Sequence, residues 1–296
     1  MKKIISILLV VLSINCLAED KTGLLIIAHG SPSKQWNQPV LNMEDSVKSL
    51  LQARQVTGFD EVRVALMEFT EPSVATVVKE MENKGITKIY ALPLFIAPSG
   101  HSVYDIPSIL GLYYNKKTGD ALKEEKTEIV DSKAKITVGP TLNYGTVIQE
   151  ILLERVKELS EDPHNEALVI LAHGSENFYS CWQNIANKAG NFILAKTGIE
   201  YFKNAFVEVG QSFAVNGINA ILDASSQKNK VIVVGMYLAS GVEKMPQRSG
   251  IMMMGRSVES KEMLKGKNIV YSNKGLLPNA KITGWIVDRA VEWLKQ

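Results

Sequence analysis

Cysteine is almost missing from this chain. Its 296 residues contain two, Cys16 and Cys181. Cys16 lies in an N-terminal stretch expected to be removed, so no intrachain disulfide should staple the mature fold. No Cys-x-x-Cys pair occurs, which argues against a dithiol redox motif or a zinc ribbon. An excess of one charge is missing as well: 33 basic residues stand against 31 acidic ones. Lys2 and Lys3 belong to the removable stretch, so the mature chain is balanced and offers no footing for nucleic acid or an anionic membrane surface. There is no P-loop and no Gly-x-Gly-x-x-Gly after a strand, so no nucleotide is expected. The two His-Gly-Ser segments lack the glycine spacing of a nucleophile elbow, which makes Ser31 and Ser175 poor hydrolase nucleophiles.

Long apolar runs are also scarce. The N-terminal one, Ile4 to Leu12, is too short to span a bilayer comfortably. Preceded by Lys2 and Lys3 and followed by Cys16-Leu17-Ala18, it has the order of a secretory signal peptide. Asn15 spoils a lipobox around Cys16. Residues 1–18 are therefore expected to be cleaved. The product would be exported, periplasmic or extracellular, with no stable membrane insertion afterwards.

What remains reads as alternating strands and helices. Gly23 to Ala28, Glu61 to Met67, Lys88 to Phe95 and Ile136 to Val138 are predicted strands, with helices over about 40–55, 71–83 and 144–159. Residues 113–134, rich in Lys and Glu, read as a solvated insertion without chemistry. Glu161-Asp162-Pro163-His164-Asn165 punctuates the chain, giving an expected N-terminal unit at 19–162 and a C-terminal one at 163–296.

The pattern then repeats. Ala28-His29-Gly30-Ser31 returns as Ala172-His173-Gly174-Ser175, the strand ending at Glu68 returns as the one ending at Glu208, and Leu94-Phe95-Ile96-Ala97 returns as Met236-Tyr237-Leu238-Ala239. The intervals are nearly constant, so the chain is two copies of one α/β unit. Each copy should hold a parallel sheet covered on both faces.

The scarcity of histidine sharpens the rest, because four histidines serve the whole chain. In the first copy His29, Glu68 and His101 fall just beyond three strands, where open α/β sheets bind ligands. Imidazoles with a carboxylate suit divalent cobalt, nickel, iron or zinc, and open positions would admit an organic ligand. The matching set in the second copy is His173, Glu208 and Glu243, with a carboxylate in place of one imidazole. Plainer uses compete with each of these. A lone histidine after a strand often only bonds its loop, Glu68 could cap the helix after Pro72, and His164 should be solvated in the linker. Trp36 and Trp182 could stack on a flat ligand or simply pack. Met252-Met253-Met254 could line a cleft, although core packing is the commoner use of methionine.

Ala28-His29-Gly30-Ser31, Leu66-Met67-Glu68-Phe69-Thr70-Glu71-Pro72-Ser73 and Pro93-Leu94-Phe95-Ile96-Ala97-Pro98-Ser99-Gly100-His101, with Asp105-Ile106-Pro107 beyond, resemble the sirohydrochlorin cobaltochelatase/ferrochelatase family of class II chelatases. The resemblance implies two flavodoxin-like, chelatase-like domains related by duplication and facing each other across a tetrapyrrole cleft. It implies ATP-independent insertion of a divalent metal, cobalt first and iron or nickel otherwise, as in cobalamin or porphyrin biosynthesis. It also implies that His29 and His101 bind metal and accept protons, with Glu68 as their acidic partner. An exported, non-catalytic carrier of metal or tetrapyrrole on the same fold is the alternative. Oligomeric state is left open.

Overall fold

The computed structural model of the protein describes residues 20–248, 250–253 and 256–296. The expected signal peptide, and the side chains of Met252 to Met254, lie outside the described residues. Strands β1 (Lys21–Ala28), β2 (Glu61–Leu66), β3 (Ile86–Pro93) and β4 (Lys135–Val138) form one parallel sheet in the order β2-β1-β3-β4. Strands β5 (Glu166–Ala172), β6 (Tyr201–Phe206) and β7 (Lys230–Met236) begin the second. A short antiparallel hairpin, β8 (Gly250–Met253) with β9 (Arg256–Glu259), intervenes before β10 (Ile269–Tyr271) completes it in the order β10-β7-β5-β6. Read from the other edge, that is the first sheet's order again.

The registers repeat too. Ala28 lies opposite Leu66 as Ala172 lies opposite Phe206, and Ile27 opposite Pro93 as Leu171 opposite Gly235. The central strands are buried on both faces: Leu24 to Ala28 and Ala167 to Ala172 are fully enclosed. This is why they read as continuous apolar runs rather than alternating ones.

Helices α1 (Lys34–Leu41) and α2 (Met43–Ala53) replace the single helix predicted over 40–55. Trp36 sits on the first of them. Helix α3 (Val74–Asn83) is capped by Ser73, whose hydroxyl accepts from Thr76 N, while Glu71 Oε2 accepts from Ser73 N at 2.6 Å. The capping role considered for Glu68 thus belongs to its neighbours. A π-helical turn, His101–Asp105, runs into α4 (Ile106–Ile109). The stretch read as a solvated insertion contains helix α5 (Lys116–Glu124), with Asn115 as N-cap and Leu122 in the core. One apolar anchor amid lysines and glutamates is too weak a periodic signal to read from sequence.

Helices α6 (Val147–Lys157), α7 (Tyr179–Thr197) and α8 (Ile218–Gln227) follow, then short α9 (Met245–Arg248) and α10 (Ser260–Met263), and finally α11 (Ala280–Leu294). Two of them change sides. Helix α6, from the first half, packs on β7 and α7 of the second. Helix α11, at the end of the second half, packs on α2 and β3 of the first, where Trp293 stacks on Tyr90 with ring centroids 5.1 Å apart. A parallel sheet needs both faces covered, and each half covers one face with a helix from the other. Ile282, Ile286 and Val287 of α11 are fully buried there, each stabilising the packed state by roughly 1.5–3 kcal/mol. One apolar cluster in consequence runs through both halves. Among the described residues no helix is long and apolar enough to cross a membrane.

Candidate metal centre and cleft

The carboxyl ends of both sheets open into one cavity of about 1000 Å3, at the upper end of the range for small-molecule sites. Trp36, Phe69 and Phe95 line it from the first half, and Val209, Met236 and Tyr237 from the second. Broad apolar walls of this kind suit a flat, largely apolar ring.

His29 is the first residue after β1, and a backbone bond from Glu68 N to His29 O at 2.9 Å continues the β1–β2 pairing beyond the strands. That bond seats Glu68 beside the imidazole. His101 lies beyond β3, the other neighbour of β1, on the first residue of the π-helical turn. The three meet: their ligand atoms lie within 4.8 Å of one another, the one grouping of that kind among the described residues. Glu68 Oε2 is 3.9 Å from His29 Nε2, and Glu68 Oε1 is 3.9 Å from His101 Nδ1. The two imidazoles meet edge to face, 4.7 Å between centroids. The carboxylate is the more enclosed member at 14% side-chain exposure, against 34% and 40% for the imidazoles. The histidines therefore face the cavity over a recessed acid.

Hydrogen bonds settle which nitrogens are available. His29 Nδ1–H donates to Gly30 O at 2.9 Å, leaving the Nε2 lone pair free. His101 Nδ1–H donates to Asp105 Oδ2 at 2.7 Å, again leaving Nε2. A carboxylate behind a ligating imidazole orients the ring and increases its basicity. The bond to Asp105 raises the His101 pKa above its ordinary value, partial burial opposes the rise, and the Asp105, Glu68 and Glu125 charges add to it. Glu125, just past α5, has its own carboxyl pKa raised by burial and by the nearby Glu68 and Asp105 carboxylates.

Sequence reasoning gave no role to Asp105 or Glu125. For Asp105 a signal existed, since four residues after His101 is one helical turn. For Glu125 there was none within its charged surroundings.

The second copy is not assembled in this way. In the first half the left-handed residue is Phe69, at φ +70°, and Glu68 before it stays beneath the histidines. In the second half Glu208 itself takes the left-handed conformation, at φ +51°, and its side chain is exposed. Glu243 has a carboxylate oxygen buried without a hydrogen-bond partner, close against Gly241. His173 alone keeps the pattern, with Nδ1–H donating to Gly174 O at 2.8 Å and the ring lining the cavity. Trp182 is nearly buried, and its Nε1–H donates across the halves to Pro98 O at 2.9 Å, in the loop leading to His101. It braces that loop. His164 is exposed, with Glu200 3.7 Å away.

A duplicated parallel α/β fold thus sets two imidazoles and a carboxylate over an apolar cleft, a donor set able to hold a transition metal. Residues 23–159, a little under half of the chain, match the CbiX family, and over that stretch the chain is similar to its members. It is 33% identical over 97 residues to a sirohydrochlorin cobaltochelatase of Methanococcus maripaludis, covering 33% of this chain and 63% of that protein, under two thirds of its length. With the sirohydrochlorin cobaltochelatase of Methanopyrus kandleri it shares 29% identity over 142 residues, 46% of this chain and 95% of that one. The fold matches SirB from Bacillus subtilis with Fe3+ at TM-score 0.64 and 17% identity, over 92% of this chain and 95% of the other. The cobalt complex of the sirohydrochlorin chelatase SirB from the subspecies spizizenii gives TM-score 0.62 at 16% identity, over 92% and 94%.

Proposed function

We propose that the protein inserts a divalent metal, cobalt in the first instance, into a tetrapyrrole such as sirohydrochlorin without nucleotide hydrolysis. The observation that carries this reading is the convergence of His29, Glu68 and His101 at the edge of the shared cleft. The metal is a substrate here. His29 Nε2 and His101 Nε2 hold it with Glu68 close by, a donor set suited to cobalt, nickel or iron. Few protein ligands leave coordination positions open, so four ring nitrogens can replace the imidazoles one after another. Asp105 keeps the His101 ring in its ligating tautomer. Glu68, the recessed carboxylate, accepts a pyrrole proton as the metal enters.

The relatives named above as cobaltochelatases support cobalt as the first metal to test. The decisive experiment is insertion by protein lacking residues 1–18, followed through the ring absorbance of sirohydrochlorin with cobalt, iron and nickel in turn. Insertion no faster than in buffer, with both ligands bound, would turn the reading to a carrier. We also propose that the protein is exported, on the strength of Lys2, Lys3 and the Ile4 to Leu12 run. N-terminal sequencing of exported material starting at Glu19 would bear this out, and an intact Met1 would refute it.

A further inference from the structure

The metal site leaves His173 without a task. It follows β5 as His29 follows β1, its Nδ1–H is committed to Gly174 O at 2.8 Å, and its Nε2 lone pair is therefore free. The side chain is exposed and lines the common cavity from the second half. Its counterparts of Glu68 and His101 have turned away, Glu208 to the surface and Glu243 into the protein beside Gly241. A lone imidazole is a poor metal site but an available base.

Lone pairs can be counted. Insertion displaces two pyrrole protons from the ring. His29 and His101 each offer one nitrogen lone pair, because each Nδ1–H is already given to an acceptor. While those lone pairs hold the cation they cannot take protons, so the Glu68 carboxylate is the base left on that face of the ring. Glu68 accounts for one of the two.

Resting on the chelatase reading, we infer that His173 accepts the other pyrrole proton, from the ring face turned toward the second half. The pyrrole N–H bond breaks and its electron pair stays on nitrogen, where it becomes a donor to the metal. The proton forms a bond to His173 Nε2, and the imidazolium releases it to solvent through its exposed edge. Two protons leave as a dication enters, so the ring core keeps its charge. His173 is thus a further catalytic residue, on the wall that the second half contributes to the cavity.

The test uses His173→Ala and His173→Gln in the full mature chain, with sirohydrochlorin and cobalt. Cobalt affinity and quenching of sirohydrochlorin fluorescence on binding should match the wild type. The first-order rate of insertion should fall about 100-fold, the lower end of what general acid–base catalysis contributes. Added imidazole should recover part of the rate in the alanine variant, where there is room for it. An unchanged rate, or a loss of cobalt affinity in step with the rate, would overturn the assignment. A metal-free arm separates this inference from the chelatase reading. Exchange of the ring N–H protons of bound sirohydrochlorin with deuterium should be faster on the wild type than on His173→Ala. Equal exchange refutes the role of His173, whereas His173-dependent exchange without any insertion refutes the chelatase reading and leaves the base in place.

Discussion

Replacing Asp105 by Asn changes a charge and almost nothing else. The amide oxygen can still accept from His101 Nδ1–H, which is bonded at 2.7 Å in the native protein, so ring orientation should survive. The carboxylate's contribution to imidazole basicity does not. Loss of such a partner behind a ligating histidine typically costs 10–100-fold in metal affinity, or roughly 1.4–2.8 kcal/mol. Asp105 is one-quarter exposed, so solvent screens part of its effect and the lower half of that range is expected. The pH dependence follows from the raised His101 pKa. Protons and metal compete for Nε2, and the native imidazole is protonated earlier as pH falls. The Asn variant resists protonation to lower pH, so the gap in cobalt affinity should be widest in mild alkali and shrink on acidification. In the metal-free protein the same pair stabilises the fold below the ordinary histidine pKa, a contribution lost as pH rises through the raised value. Calorimetric titration of cobalt into both proteins at about pH 8 and about pH 6 tests this. Equal affinities at the higher pH, or a gap that widens toward the lower one, would refute the reasoning.

The remaining predictions concern the two copies and the core. The His29→Ala/His101→Ala double variant should lose cobalt binding by the same titration, whereas Glu243→Ala should keep most of it. Undiminished affinity in the double variant would remove the site. Glu68→Gln should slow insertion more than it weakens cobalt binding, because it removes a proton acceptor; parallel losses would make Glu68 mainly a ligand. Gly190→Ala, inside α7, would ordinarily favour the helix by roughly 1 kcal/mol. Its new Cβ would run into the Phe202 ring, so a stability loss of about 1–3 kcal/mol is expected, read as a lower denaturation midpoint.

Much of the fold was legible because buried parallel strands leave an unambiguous trace. The runs ending at Ala28 and Ala172 are apolar at every position, as strands enclosed on both faces must be. The metal-site candidates were legible for a related reason: His29 and His101 follow neighbouring strands, and strand order limits how far apart they can lie. Other features depend on contacts that sequence does not record. Nothing in the run from Val147 to Lys157 says which sheet it covers, since both present similar apolar faces. That Trp182 braces Pro98 rather than waiting for a ring depends on one hydrogen bond across the halves. The failure of the second triad was only half visible: Glu243 for histidine could be read, but a left-handed turn shifted by one residue onto Glu208 could not.

The exchange of α6 and α11 bears on what a severed chain could do. Cut between Glu161 and Asn165, the N-terminal fragment would keep its four strands yet carry away the cover of its partner's sheet, and the C-terminal fragment would do the same in return. Neither piece could then close its own core, and each would hold the missing part of the other. Such fragments should stay partly open when alone and recover the native structure when mixed, as an obligate heterodimer. On this packing the chain link at 161–165 should matter less to assembly than the two exchanged helices, whose apolar faces tie each half's core to the other.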